Sequence, residues 1–205
     1  MKTWIVAVAM AVLPVMNAEE LAGEYAAQMH EVGSGLMLHA NQTFEYFFSY
    51  GAADYMAKGT WRRDNDAVVL TSSGAEAKPF RVVRSAPGTA GTVRVYVVAP
   101  NGRGVPHMDV KLTASGGVQT GRTSDDGLAS FRSKGEGKSV SIHVPVYDIE
   151  AGPFELTAGH NDVWLEINGE AITTLRFRDE RLRVVDGALH MTYWKGERPL
   201  VYKKQ

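Results

Sequence analysis

The 205-residue chain contains no cysteine. That excludes disulfide staples, thiolate metal sites and a lipid anchor on an N-terminal Cys. Neither sign of charge dominates: 22 Lys and Arg stand against 23 Asp and Glu, a formal net charge of −1. The basic footprint of a nucleic-acid-binding domain is therefore missing, and no nucleic-acid partner is expected. The longest apolar run, residues 4–13, is shorter than the ~20 residues a helix needs to cross a bilayer. Catalytic fingerprints are missing too. The chain has no His-Glu-x-x-His, no Gly-x-Ser-x-Gly, no phosphate-binding Gly-rich Lys loop and no dinucleotide Gly fingerprint.

What is present begins with residues 1–18, which read as a secretory signal peptide. Lys2 is its basic start, residues 4–13 its apolar stretch, Pro14 its break and Ala18 a small residue at a cleavage position. The expectation is a mature chain starting near Glu19, periplasmic or secreted in a bacterium, with no stable membrane span after signal removal. Asn41-Gln42-Thr43 fits a glycosylation sequon that carries no meaning in a bacterial source.

Hydrophobic content of 44% and charged content of 22% are those of a globular protein and exclude extensive disorder. Short alternating runs, separated by Gly, Asn and Asp turns, place the chain in the all-β class. Phe44, Tyr46, Phe48 and Tyr50 alternate with polar neighbours, and a strand carrying Gly59-Thr60-Trp61 follows. Near the other end, Leu175 and Phe177, Leu182 and Val184, and Leu189, Met191 and Tyr193 repeat the pattern around an Asp186-Gly187 hairpin turn. Both stretches are meanders. Phe44, Tyr46, Phe48, Tyr50 and Trp61 are expected in a core, with Phe44, Tyr46 and Trp61 sharing it with Phe177, Leu189 or Tyr193. The arrangement is similar to lipocalin-like small secreted β-proteins, in which a Gly-x-Trp packs its Trp at a barrel end. The Gly-x-Trp here is not on the first strand, so no lipocalin ligand is carried over.

Between the meanders, residues 93–131 read VRVYVVAPNGRGVPHMDVKLTASGGVQTGRTSDDGLASF. Val93, Val95 and Val97 alternate, as do Val110 and Leu112, and Asp125-Asp126-Gly127 makes a turn in which Gly supplies positive φ. The stretch resembles the carboxypeptidase regulatory-like, or transthyretin-like, β-sandwich, with its V-x-V, G-x-P, V-x-V-x-L and G-x-T-D-x-D-G-x-a-x-F pattern. Ser124 stands where that family has Asp after the Thr, and Gly104-Val105-Pro106 departs slightly from its Gly-x-Pro-Val run. The resemblance implies a fold and not a reaction, because sites are grafted onto folds.

The expected architecture is an antiparallel β-sandwich inserted into a small β-meander or barrel. Its parts are residues 1–18 as signal, 19–91 plus 169–205 as a discontinuous meander, and 92–168 as sandwich. The rival arrangement is three small units in tandem. The C-terminal meander is only about 35 residues long, and a unit below ~40 residues rarely folds unaided, so it needs the N-terminal one.

Candidate chemistry is sparse. The six His residues show no metal-ligand spacing beyond His107 with Asp109, which also reads as a polar turn flank, and no metal or cofactor is expected. Asp125-Asp126-Gly127 lacks the spacing of a calcium loop. Arg176, Arg178, Arg181 and Arg183 could form a basic strip across a hairpin, a binding surface for an anionic partner, against the more ordinary reading of a solvated outer sheet face with interleaved acids. The leading expectation is an exported, non-enzymatic binding or interaction protein of the cell envelope, its small-molecule or protein partner unknown. The alternatives are a hydrolase with a strand-assembled site and an assembly module that presents a sheet edge.

Overall fold

The computed structural model describes residues 18–29, 32–133, 135–192 and 199–205. The signal-peptide reading of residues 1–17, His30 and the core position assigned to Tyr193 lie outside them. The chain opens with a short helix α1 (Ala18–Leu21) and strands β1 (Gly23–Met29), β2 (Val32–Leu38), β3 (Thr43–Tyr50), β4 (Ala53–Asp64) and β5 (Ala67–Ser72). Then come β6 (Phe80–Ala86), β7 (Thr92–Val98), β8 (Asp109–Ala114), β9 (Gly117–Arg122), β10 (Leu128–Arg132), β11 (Gly137–Val144), β12 (Ile149–Glu155) and β13 (Asp162–Ile167). A short helix α2 (Gly169–Thr173) precedes β14 (Glu180–Val185), β15 (Ala188–Met191) and β16 (Leu200–Lys204). The fold is all-β.

Two compact units divide the chain. One holds the described residues through Phe48, Ala57–Ser73 and Arg176–Gln205; the other holds Ser49–Met56 and Gly74–Leu175.

The first unit is a closed eight-stranded barrel in the order β1-β16-β15-β14-β5-β4-β3-β2. Closure removes every free strand edge, the recurrent liability of small sheets. Alternation decides what fills it. Along β2 every second residue is buried, and β3 buries Phe44, Tyr46 and Phe48 between exposed or half-exposed neighbours. Trp61 donates its indole N–H to the His39 carbonyl at 2.9 Å, which satisfies its one polar atom inside the core. Phe177 lies against the rings of Phe44 and Tyr46, with centroids 5.9 and 5.0 Å away. The expected sharing of one core between the two meanders is therefore realised at Phe177 and, through Tyr46 Oη and Met191 Sδ, on β15. Tyr50 departs from the expectation: it ends β3 and is 41% exposed.

A buried hydroxyl cluster crosses the barrel. Ser34 Oγ donates to the Phe47 carbonyl at 2.7 Å, and Tyr202 Oη lies 2.8 Å from Ser34 Oγ and 3.1 Å from Tyr46 Oη. Partnered hydroxyls avoid the roughly 1–3 kcal/mol that each orphaned one would cost. Burial holds the Tyr202 phenol far above its ordinary pKa, so it stays protonated.

The second unit is a sandwich of two four-stranded sheets, β10-β7-β13-β6 and β12-β11-β8-β9. Val93, Val95 and Val97 of β7, with Val163 and Leu165 of β13, meet Val110 and Leu112 of β8 and Val140, Ile142 and Val144 of β11 in one core. Each such side chain fully buried contributes roughly 1.5–3 kcal/mol. One pair is not antiparallel: β13 runs parallel to β7.

Thr123 and Gly127 brace this sandwich. Thr123 Oγ donates to the Val105 carbonyl and accepts from the Met108 amide, both at 2.9 Å. Gly127 has φ +73°, and a Cβ there would lie 2.3 Å from the Val97 carbonyl oxygen, so only glycine fits.

The expected boundaries shift. Residues 80–86, counted with the meander, form β6 and pair with β13, placing Phe80 in the sandwich core. The longer segment of the sandwich unit thus spans Gly74–Leu175, where residues 92–168 were expected. Residues 149–155 form β12 on β11. Asn168 follows β13 and caps α2, its side chain accepting from the Ala171 amide.

Candidate functional site

The four arginines separate. Arg176 and Arg178 precede β14 rather than lying on a strand, whereas Arg181 and Arg183 share the outward face of β14 on either side of buried Leu182. Arg176 donates to the Ser73 carbonyl at 2.7 Å. Arg181 pairs with Asp64, whose carboxyl is held below its ordinary pKa by that hydrogen bond. Arg62 and Asp179 approach to 3.6 Å nearby. Acids interleave with the basic groups here, Asp64 beside Arg181 and Asp179 beside Arg62.

His107 and Asp109 do not converge either. His107 is an exposed residue with φ +62°, while Asp109 joins a row across the outer face of β9, β8 and β11. Arg122 Nε donates to Asp109 at 2.7 Å, His143 Nδ1 lies 3.4 Å from Asp109, and His143 Nε2 lies 3.3 Å from Asp148. The hydrogen bond from Arg122 lowers the Asp109 pKa, and those to Asp109 and Asp148 raise that of His143. Two carboxylates on opposite ring nitrogens orient an imidazolium; they do not chelate. Among the described residues, no group of three or more His, Asp or Glu side chains is arranged to hold a metal ion.

The other sheet carries the most varied surface. Its register puts Tyr96 (β7), Trp164 (β13) and Arg84 (β6) side by side. Tyr96 stacks on Trp164 with centroids 4.6 Å apart and planes 5° from parallel, and the Arg84 guanidinium carbon lies 4.3 Å from the centre of the Trp164 ring. The guanidinium is attracted to the ring quadrupole and keeps its charge at the surface. Beside this stack, Arg94 grips buried Asp162 through two N–H groups. On the other side Arg81 donates Nε and Nη2 to Glu166 Oε1. Past Glu166 lies a half-open cleft of about 580 Å³, lined by Lys78, Arg81, Glu166 and Glu170 among others.

Strand β6 ends this sheet. Val82 and Val83 are each 44% exposed there, between Arg81 and Arg84, where the pairing with β13 is interrupted between Trp164 and Leu165. Ser85 Oγ, on the same strand, lies 2.7 Å from His160 Nδ1. That is a nucleophile–base distance. No carboxylate among the described residues orients the other ring nitrogen, as triad chemistry asks. Sequence reading missed this surface because its residues come from β6, β7 and β13, and alternation alone does not say which strands are neighbours.

Comparison with known proteins gives no match: no family model, no curated protein and no solved structure is similar to this chain. Among the described residues, no helix is long and apolar enough to cross a membrane.

Proposed function

We propose that this chain is an exported, non-enzymatic interaction protein of the bacterial cell envelope, with the sandwich as its contact module and the barrel as its scaffold. The carrying observation is the packing of large rings in the barrel. Tyr25, Phe44, Phe48, Trp61 and Tyr202 are each at most 2% exposed, so among the described residues these rings occupy the interior where a lipocalin-like barrel would hold a small ligand. Contact chemistry lies instead on the sandwich, where aromatic, cationic and apolar groups reach solvent together. The motif spanning residues 93–131 supports a carboxypeptidase regulatory-like or transthyretin-like assignment for that module. The basic and apolar start of the sequence supports export.

The hydrolase reading rests on the Ser85–His160 contact. Turnover of ester or peptide substrates that Ser85→Ala abolishes would replace the binding role with it. The main test is photo-crosslinking in the envelope with the full chain, the reactive residue placed at Val83, at Val118 (61% exposed, β9) or at Glu45 on β3 (side chain 75% exposed). Adducts of defined mass from a sandwich position and not from Glu45, on a chain that starts near Glu19, are the expected result. A retained Met1, or no adduct from any sandwich position, overturns the proposal.

A further inference from the structure

Four strands form the outer edges of the two sandwich sheets: β6, β10, β9 and β12. An edge strand offers its free backbone groups to any extended chain, and proteins blunt most such edges. Edges β9 and β10 are tied together, with Gln119 Nε2 donating to the Arg132 carbonyl at 3.1 Å. Edge β12 contains Pro153, which lacks an N–H and is confined to strands that need not propagate pairing. Edge β6 has neither device. Its sequence, FRVVRSA, holds no proline, and Val82 and Val83 are both exposed.

We infer that β6 accepts one further strand: an extended segment of another protein, apolar at its centre and flanked by Asp or Glu. The inference deepens the proposed function and rests on it. Charge chooses the occupant. A second copy of this chain, paired antiparallel about Val82 and Val83, would set Arg81 opposite Arg84 in both directions, and like charges directly opposite destabilise a sheet. An acidic-flanked segment meets the same two guanidinium groups favourably. Arg81 spends Nε and Nη2 on Glu166 and retains Nη1. Arg84 lies on the Trp164 ring and has no carboxylate partner among the described residues. Exposed Lys78, just ahead of the strand, adds a third cation. Main-chain pairing would supply affinity, and the valines and arginines specificity, as in other strand additions.

The test is selection of a random twelve-residue peptide library against the full chain, with amide chemical shifts reporting where the winners bind. Enriched peptides should carry an apolar centre with acidic flanks and perturb the amides of residues 81–85. Arg84→Glu should weaken them about tenfold or more, as loss of a complementary interface charge does. Val83→Lys, a natural means of blocking an edge, should abolish binding while thermal unfolding stays cooperative. Arg84→Glu should also reverse the selected charge, an outcome that mere instability would not produce. The inference is overturned by enriched peptides without acidic bias, by peptides binding elsewhere, by an empty selection, or by a dimer that Val83→Lys dissolves. Crosslinks at Val118 without any at Val83 would sink this inference alone; their absence from both would sink the proposed function as well.

Discussion

The backbone amide of Ser72 donates to the Phe177 carbonyl at 2.9 Å, and the Phe177 amide donates to the Ser72 hydroxyl at 2.9 Å across a separation of 105 residues. This reciprocal pair joins the end of β5 to the approach of β14, so the chain leaves the barrel and returns to it at neighbouring points. Everything from Gly74 to Leu175 lies between them in sequence. Closing so long a loop is entropically modest, because the cost grows only with the logarithm of loop length.

Joining Ser73 directly to Arg176 through a few Gly and Ser residues should therefore give a folded barrel. Circular dichroism and urea unfolding should show β-structure that melts in one cooperative step. An unfolded product would mean that the barrel depends on the excised residues.

Trp61→Ala should destabilise that barrel by about 3–5 kcal/mol, the usual cost of emptying a large buried aromatic site. Trp61 is 2% exposed and its N–H is bonded to His39. Trp61→Phe should cost less, since it retains part of the packing and the His39 carbonyl keeps the Gln42 amide as a donor at 3.0 Å. Denaturant midpoints of the two variants decide the order. Equal losses would contradict the packing account.

A fragment of residues 92–168 lacks β6 with Phe80, which is 1% exposed in the full chain, and α2 with Ile172, which is 4% exposed. Emptying two such sites costs together at least about 5 kcal/mol, a large part of a domain's usual 5–15 kcal/mol. The shorter fragment should show no cooperative transition, and residues 74–175 should show one. Equal melting of both would place the module boundary back at residue 92.

The Arg122–Asp109–His143–Asp148 row predicts a pH window. Its contacts raise the His143 pKa, so this contribution to stability is fully present below the ordinary imidazole value of about 6.5 and is lost as pH rises through the folded value. Asp109 is shifted down, so its contribution is present above the ordinary carboxylate value of about 3.9 and is lost as pH falls through the folded value. Both operate in full between those two ordinary values. Asp109→Asn should lower the His143 titration midpoint measured by NMR and flatten the stability profile above neutrality. An unchanged midpoint would show that the row does not form in solution.

The class of fold was legible in the sequence because alternation with period two is a local property, written into residues such as Phe44, Tyr46 and Phe48 or Val93, Val95 and Val97. The turn at Asp125-Asp126-Gly127 was legible for the same reason, since backbone sterics at Gly127 act within a few residues. Even the sharing of a core by distant meanders followed from a local quantity, the shortness of the C-terminal meander. Tertiary structure decided which strands are neighbours. A run such as residues 80–86 satisfies any sheet that offers it a partner, and only pairing with β13 assigned it to the sandwich rather than the barrel. The same pairing brought Arg84, Tyr96 and Trp164 into one stack and left Val82 and Val83 on an open edge, while β14 received acids among its arginines. Strand pairing is set by backbone hydrogen bonds that are alike for every residue, so the choice of partner depends on the whole core and cannot be read from one strand.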